Sequence, residues 1–490
     1  AQQPSWQAPE EAPWLLRSDP FHTYRYGFEV GTRRLCHQVL MFHHFPAAAD
    51  TEPALVRRLV LEYTATALGY SLLTAAHYQD WDAEGGVDYS PPVELQYTDF
   101  DLNLAPEKFF DLETMPALEG NRHYQCVDLY GEGLPGFLCR YTDAWYYREP
   151  ERAGPDDDAI GYGPWSRLDS IPVASQNPAV MQVLTDLTGS GRLNWVIAQP
   201  GMSGFHTLNP DRSWSTFTPF DRFPTEFLHP AAQLGDLTGD GLRSLAMVGP
   251  KSVRLYPNLR EQGFAPGVNV PHEPDSPLPL FSDSRSELVL FGNLLGSDST
   301  ELCRIRFDEI KCWPNLGHGR FGEGFVMSAL PFSYGQFDAD RVRIADLDGA
   351  GAPALIYLNS DCFDIYLNHG GNGLEQTPVK VPWPAGVRYD NLCQVSLADL
   401  QGLGCASLIL SVPHMSPDMK PRHWRYDFVA ARPYLLNATH NNMGCSTTLT
   451  YRSSAQYWLD EKQQRRAQGE QLDCYLPMAL PLLARQQQLD

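Results

Sequence analysis

The sequence predicts an all-β fold: a six-bladed β-propeller with a flanking β-strand base and a C-terminal helix. The first observation behind this is a turn that recurs. Its best-formed copy is Asp236-Leu237-Thr238-Gly239-Asp240-Gly241, and its anchor position recurs as Asp128, Asp186, Asp236, Asn293, Asp346 and Asp399, at separations of 58, 50, 57, 53 and 53 residues. A glycine follows each anchor by three residues: Gly131, Gly189, Gly239, Gly296, Gly349 and Gly402. The second observation is the apolar residue nine positions past each anchor, namely Phe137, Trp195, Leu245, Leu302, Leu355 and Leu408. The third is an aromatic strand about seventeen residues past the anchor in most copies, as in Trp145-Tyr146-Tyr147 and Val253-Arg254-Leu255-Tyr256-Pro257-Asn258. A period of about fifty residues with several short strands per unit marks a propeller, one blade per repeat. A β-solenoid has a shorter repeat, and a sandwich has no reason to repeat its turn chemistry six times.

The turn chemistry supports the strand assignments on either side of it. An Asp side chain can accept hydrogen bonds from the backbone that follows it, and glycine takes φ > 0 without steric cost. The run at 245–248 is apolar and reads as a buried strand.

Composition bounds what else the chain can do. Six units of this size occupy about three hundred of the 490 residues, so a second structural region is required. A formal charge of -22 and a pI near 5.0 argue against nucleic acid or an anionic membrane as partner. Mean hydropathy is -0.33 and no run of about twenty apolar residues occurs, so no direct membrane insertion by a helix is expected. No charged-then-apolar leader is visible, and the absent initiator Met and the unfinished segment at 480–485 suggest a piece of a longer protein. Ten cysteines show no CxxC pair and are expected as buried free thiols of a cytosolic product.

Residues 1 to 20 read as an extended lead-in. Strands are expected at 24–30, 35–45 and 55–63, forming a β-region separate from the repeats. The pair His43-His44 is read as strand packing, because adjacent strand residues point to opposite faces. A strand at 93–97 is expected to lead into the propeller, and Asp156-Asp157-Asp158 to form a solvated loop. The Pro-rich connection at 262–279 is a place for partner contacts, as loops on a rigid scaffold often are. After a last blade strand at 424–430 come a strand at 447–451 and a helix at 454–469, with Ser454 as N-cap, Glu461 four residues before Arg465, and Gly469 as terminator.

Three stretches carry a resemblance. Trp14-Leu15-Leu16-Arg17-Ser18-Asp19-Pro20-Phe21 with Tyr26-Gly27-Phe28-Glu29, Arg34-Leu35-Cys36, the run from Val39 to Pro46 and Leu59-Val60-Leu61-Glu62-Tyr63 is similar to the end of the SpvB-type domain in the B component of bacterial insecticidal toxin complexes, the Tc toxins. The six anchors resemble the FG-GAP-like repeats that follow it in that family. The segment from Asn437 to Asp460 resembles the region after those repeats. The resemblance divides the chain into the end of the SpvB-type domain (1–85), the propeller (86–435) and a strand plus helix returning to the base (436–490). It implies a non-catalytic part whose propeller docks a cargo-bearing shell onto the pore-forming A component and gates translocation of the toxic enzyme of the C component. It also implies synthesis in the bacterial cytoplasm and release in a secreted complex. The alternative is an integrin-like secreted propeller that recognises a host surface.

As calcium ligands the anchors would require side-chain oxygens at alternating positions. Taking the residues two, four and eight beyond each anchor, the richest set is Asp236, Thr238, Asp240 and Ser244, and no copy keeps a full acidic complement. They are therefore read as turn formers, with no metal and no cofactor expected. Gly317-His318-Gly319-Arg320-Phe321-Gly322 spells GxGxxG but opens no helix, and Gly201-Met202-Ser203-Gly204-Phe205 falls short of GxSxG. No catalytic residue is expected. A gate needs an element with two arrangements, and the irregular fourth copy (Asn293, Asp298) and the Pro-rich loop at 412–421 are where distortion is expected.

Overall fold

The computed structural model describes residues 15–44, 53–82, 84–112, 124–141, 144–154, 157–168, 181–199, 201–282, 284–413, 422–470 and 473–490. Among these, six four-stranded antiparallel sheets follow one another as the blades of a propeller. Blade 1 joins Gln125–Val127, Gly136–Tyr141, Ala144–Arg148 and Ser166–Leu168, and blade 2 joins Met181–Thr185, Asn194–Gln199, Met202–Thr207 and Thr218–Pro219. Blade 3 holds Ala232–Gly235, Ser244–Val248, Ser252–Tyr256 and Val268–Pro271; blade 4 holds Glu287–Gly292, Glu301–Arg306, Glu309–Trp313 and Phe325–Ala329. Blade 5 is Val342–Ala345, Ala354–Leu358, Cys362–Tyr366 and Val379–Pro382. Blade 6 takes three strands in order, Gln394–Ala398, Ser407–Val412 and Arg422–Asp427, and its fourth from far back in the chain, Glu107–Lys108. That borrowed strand closes the ring.

The blades are held together by apolar wedges that the repeat itself supplies. The leucine after each anchor (Leu129, Leu187, Leu237, Leu294, Leu347, Leu400) is at most 2 % exposed. From blade 2 onward each packs in one cluster with the residue nine past the anchor of the following blade: Leu187 with Leu245, Leu237 with Leu302, Leu294 with Leu355, Leu347 with Leu408, and Leu400 with Phe137 across the closure. Between blades 1 and 2 the contact is aromatic instead, with Trp145 and Trp195 edge-on at 5.1 Å. The alternation of strand side chains sends one face of each blade to one neighbour and the other face to the next.

The second region is an eight-stranded sheet in the order Gln38–His43, Ala54–Ala65, Ser71–Trp81, Val93–Tyr97, Leu436–His440, Ser446–Ser453, Pro481–Leu489, with Val87–Tyr89 paired on Ser71–Trp81. A helix, Ser454–Ala467, runs from the end of one of its strands. Ser453 and Gln456 form a reciprocal capping box at its start, and Arg465 and Arg466 stand in its last turn, where the dipole favours cations. Its buried residues Ala455, Leu459 and Lys462 recur at helical spacing, and the two apolar ones pack on Leu134 in the anchor turn of blade 1 and on Ile160 in the two-stranded hairpin Pro150–Gly154 with Asp157–Tyr162.

Several expectations are corrected here. Residues 24–29 form the turn of a hairpin, Phe21–Thr23 with Val30–Thr32, because Gly27 at φ +78° bends back onto Tyr24 O. The strand at 93–97 exists but pairs with Ser71–Trp81 and Leu436–His440, so it belongs to the base, and the chain enters the ring later. Asp157 and Asp158 lie in the strand Asp157–Tyr162, and Asp158 is ion-paired with Arg152 and Arg452 rather than freely solvated. The N-cap is Ser453, one residue before the expected Ser454. Cys36 is exposed, while Cys139, Cys303, Cys312, Cys393 and Cys405 are buried; all ten are free. Trp14, Phe45, Asp156 and the loop 414–421 lie outside the described residues.

Leu237→Ala should lower stability by about 2–5 kcal/mol, because it empties a wedge with no exposed route for collapse. Both effects are read from the midpoint of urea unfolding, which Val326→Ala, on an exposed outer strand, should shift by little.

Candidate functional site

Five of the six recurring turns share one hydrogen-bond pattern. The Asp236 carboxylate accepts the backbone N–H of Gly239 at 2.8 Å on one oxygen and of Gly241 at 3.0 Å on the other. Asp346 does the same with Gly349 (2.7 Å) and Gly351 (2.9 Å), and Asp186 with Gly189 (2.8 Å) and Gly191 (2.7 Å). Asp128 takes Glu132 (2.8 Å) and Gly133 (2.7 Å), and Asp399 takes Leu403 (3.1 Å) and Gly404 (2.6 Å). The oxygens that a cation would need thus already hold backbone donors. The fourth copy is built differently. The Asn293 side chain accepts from Ser297 at 3.0 Å and donates to Gly351 O of the next turn at 3.2 Å, and Asp298 occupies, at φ +56°, the left-handed position that glycine fills elsewhere. A fully buried carboxyl, Glu301, takes the N–H of Leu295 within the same turn at 2.8 Å. Burial pushes it up to about 8.

A second set of residues links successive turns, and sequence reasoning missed its role. Asn258, Asn315 and Asn368 each stand 22 residues past their anchors at 236, 293 and 346, and each reaches back to the preceding blade. Their amides donate to Leu187 O (3.0 Å), Asp236 O (3.2 Å) and Leu294 O (2.9 Å). The signal was present as an aromatic residue, one spacer and an asparagine at constant offset.

Because the strands of a blade are antiparallel, the anchor turns and the third-to-fourth-strand loops share one end of the ring, and the second-to-third-strand hairpins share the other. The base sits on the anchor end. Arg432 Nη1 donates to Leu403 O at 2.7 Å and its Nη2 to Gly349 O, so one guanidinium spans the turns of blades 5 and 6. Tyr434 donates to Asp348 at 3.2 Å, and Asn372 to Pro20 O at 2.9 Å. Gly402, at φ +67°, lies against Ser453 and Ala455, where a Cβ would stand 3.2 Å from each. Burial, with the neighbouring Asp346, raises Asp348 to about 7.

Charge is concentrated where the helix meets blade 1. Lys462, 5 % exposed, pairs with Glu132 at 2.7 Å and Glu149 at 2.9 Å; Arg212 and Arg466 reach Glu149 at 3.1 and 2.6 Å. Burial alone would raise the Glu149 carboxyl, but Lys462 and Arg212, with Arg466, hold it down at about 2.

The far end of the ring is organised by its own connections. Residues 272–282, 284–286, 330–341 and 383–393 belong to connections from one blade to the next that lie on the hairpins: His272 donates to Lys251 O at 3.0 Å, Phe332 to Phe307 O at 3.2 Å and Trp383 to Asp361 O at 3.2 Å. Tyr334 and Leu392 on this end are 70 % and 58 % exposed. Near the axis, the first strands of blades 6, 1 and 2 border a cavity of about 510 Å³ lined by Gln125, Gln182, Ser396 and Trp195 among others.

Two outcomes follow from the charged groups. Lys462→Met should cost about 3–5 kcal/mol, because buried Glu132 loses its 2.7 Å partner and keeps only the more distant Arg212 at 3.5 Å, while Glu149 retains Arg212 and Arg466; the loss is read as faster proteolysis of the 454–467 helix, and Arg465→Ala, at an exposed pair, should leave that rate within twofold. Glu301 is held protonated in the fold, so its contribution is complete below its ordinary value of 4.5 and is lost as pH rises through 8. Glu301→Gln should flatten the fall in thermal stability between pH 5 and pH 9, measured by differential scanning calorimetry, and an unchanged slope would exclude this carboxyl as its source.

Two family models match the sequence: Insecticide toxin TcdB middle/N-terminal region, over residues 368–489, and Salmonella virulence plasmid 65kDa B protein, over residues 1–45. The mono(ADP-ribosyl)transferase SpvB of Salmonella typhimurium (strain 14028s) is 60% identical over 50 residues, which are 10% of this chain and 8% of that protein. The Photorhabdus luminescens Tc holotoxin pore contains a chain that is similar over 100% of this one, with a TM-score of 0.90 and 42% identity, and of which 22% is covered. The TcdB2-TccC3 crystal structure is similar over 99% of this chain, with a TM-score of 0.74, 39% identity and 23% of that chain covered. The chain therefore spans under a quarter of the length of these solved relatives and under a tenth of SpvB. Matches at both ends of the sequence, and the fold along all of it, support a TcB-like Tc toxin component with a propeller.

Proposed function

We propose that this stretch is the docking and gating ring of a Tc toxin complex, a non-catalytic element that seats a cargo-bearing B–C shell on the pore-forming A component. The observation that carries the reading is the asymmetry of the ring: its anchor end is engaged by the base through Arg432, Tyr434 and Lys462, while its far end bonds only to itself in the contacts described above. A ring held at one end has the other for a partner. On this reading the base, up to Tyr97 and from Leu436 onward, belongs to the shell, the blades between Glu107 and Asp427 form the ring, and the anchors from Asp128 to Asp399 with their glycines act as turn formers without ligand. The C component contributes the toxic enzyme, the ADP-ribosyltransferase activity of SpvB is not carried by the matched segment, and the whole leaves the bacterium as part of the assembled toxin.

The test is binding of the intact B–C component to the pore-forming component of the Photorhabdus luminescens holotoxin, with calcium and with chelator. Tight binding that ignores chelator, and that falls at least about tenfold with Tyr334→Asp or Leu392→Asp, is expected, as exposed aromatic and apolar anchors usually dominate an interface. Binding unaffected by both substitutions would move the interface away from the far end, and loss of binding on chelation would favour a calcium-dependent adhesion propeller.

A further inference from the structure

Blade 4 has a feature that docking does not use. Cys303, on Glu301–Arg306, and Cys312, on Glu309–Trp313, stand directly opposite each other across the antiparallel pair, their sulfurs 3.4 Å apart and neither side chain exposed. Cys303 lies ten residues past its anchor. The same position and its cross-strand partner are Leu138 and Tyr147 in blade 1, Val196 and Phe205 in blade 2, Ala246 and Leu255 in blade 3, and Ile356 and Ile365 in blade 5. In those four blades carbon fills the space; in blade 4 two thiols fill it.

Residues directly opposed in an antiparallel sheet have Cα atoms about 4.5–5.5 Å apart, within the span of about 4.4–6.8 Å that a disulfide bridges. The sulfurs need to approach by little more than an ångström. What keeps them apart chemically is burial, which pushes the Cys303 thiol well above its ordinary value and leaves almost none of the thiolate that oxidants attack. The pair sits among Leu294, Ile305, Ile310 and Tyr357, with no open path to solvent.

We propose that Cys303 and Cys312 are a latent disulfide site, closed by a small hydroperoxide when blade 4 loosens enough to admit it. Hydrogen peroxide transfers one oxygen to a sulfur, giving a sulfenic acid and one water. The second thiol then attacks that sulfur, the S–O bond breaks, and the hydroxyl leaves with the thiol proton as a second water. In sum two thiols and one peroxide give one disulfide and two waters, with both sulfurs oxidised and the peroxide oxygens reduced. The product fastens the second and third strands of this blade to each other. It converts a transient opening of the ring into a covalent record.

The full chain is treated with hydrogen peroxide in native buffer and in urea below the unfolding midpoint, then blocked, digested without reduction and mapped by mass spectrometry. The expected result is a peptide pair joined through Cys303 and Cys312, about 2 Da lighter than the two free peptides, forming roughly tenfold faster in the urea arm. Exposed Cys36 serves as the internal control whose oxidation changes little between arms. Cys303→Ala and Cys312→Ala should each abolish the joined pair, and either one suffices if the other fails to fold. Overoxidation of the separate sulfurs, or links to other cysteines in place of this one, overturns the site. Equal rates in the two arms overturn its dependence on opening.

Discussion

Everything in this ring depends on a short turn in which a side-chain carboxylate receives two backbone N–H groups. Those bonds satisfy donors that would otherwise be stranded between strands, and they present the next residue, a leucine, at a fixed angle to the neighbouring blade. The leucine is the wedge; the carboxylate is what aims it. Asparagines 22 residues past three of the anchors then tie each of those blades to the turn before it. Local turn chemistry and long-range packing are therefore the same device repeated. This is why a period of about fifty residues can specify a closed ring although no single blade has a core of its own.

The fourth repeat shows how far the device can be altered and still function. Asn293 carries one acceptor oxygen where the others carry two, and the left-handed position falls to Asp298. Beside it Glu301, buried and held protonated, takes the N–H of Leu295. A position that looks like decay in the repeat is a rearranged hydrogen-bond network with a titratable group inside it.

The blades were legible because their signals are local: a turn residue, a glycine and an apolar residue at constant offsets. The base was not. Ser71–Trp81 went unread because its run of small and polar residues lacks a clean alternation, and the strand at 93–97 was assigned to the ring because sequence position says nothing about which sheet a strand joins. The partners of Lys462 were invisible for a similar reason, since Glu132 lies 330 residues away in the chain. Asn258, Asn315 and Asn368 stood in plain view at a constant offset. Their meaning required knowing that consecutive repeats are neighbours in space.

The strand borrowed by blade 6 bears on how the molecule is assembled. Val93–Tyr97 and Leu436–His440 are adjacent antiparallel strands of the base, so to that sheet the entire propeller is the connection of a hairpin, residues 98–435. Loop-closure entropy grows only logarithmically with length, and a folded connection whose two ends already lie together removes most of it. Glu107–Lys108 beside Arg422–Asp427 brings those ends together. The base sheet can then zip up as though a short turn joined its middle strands, and a chain that fails to close its ring leaves the sheet above it in two halves.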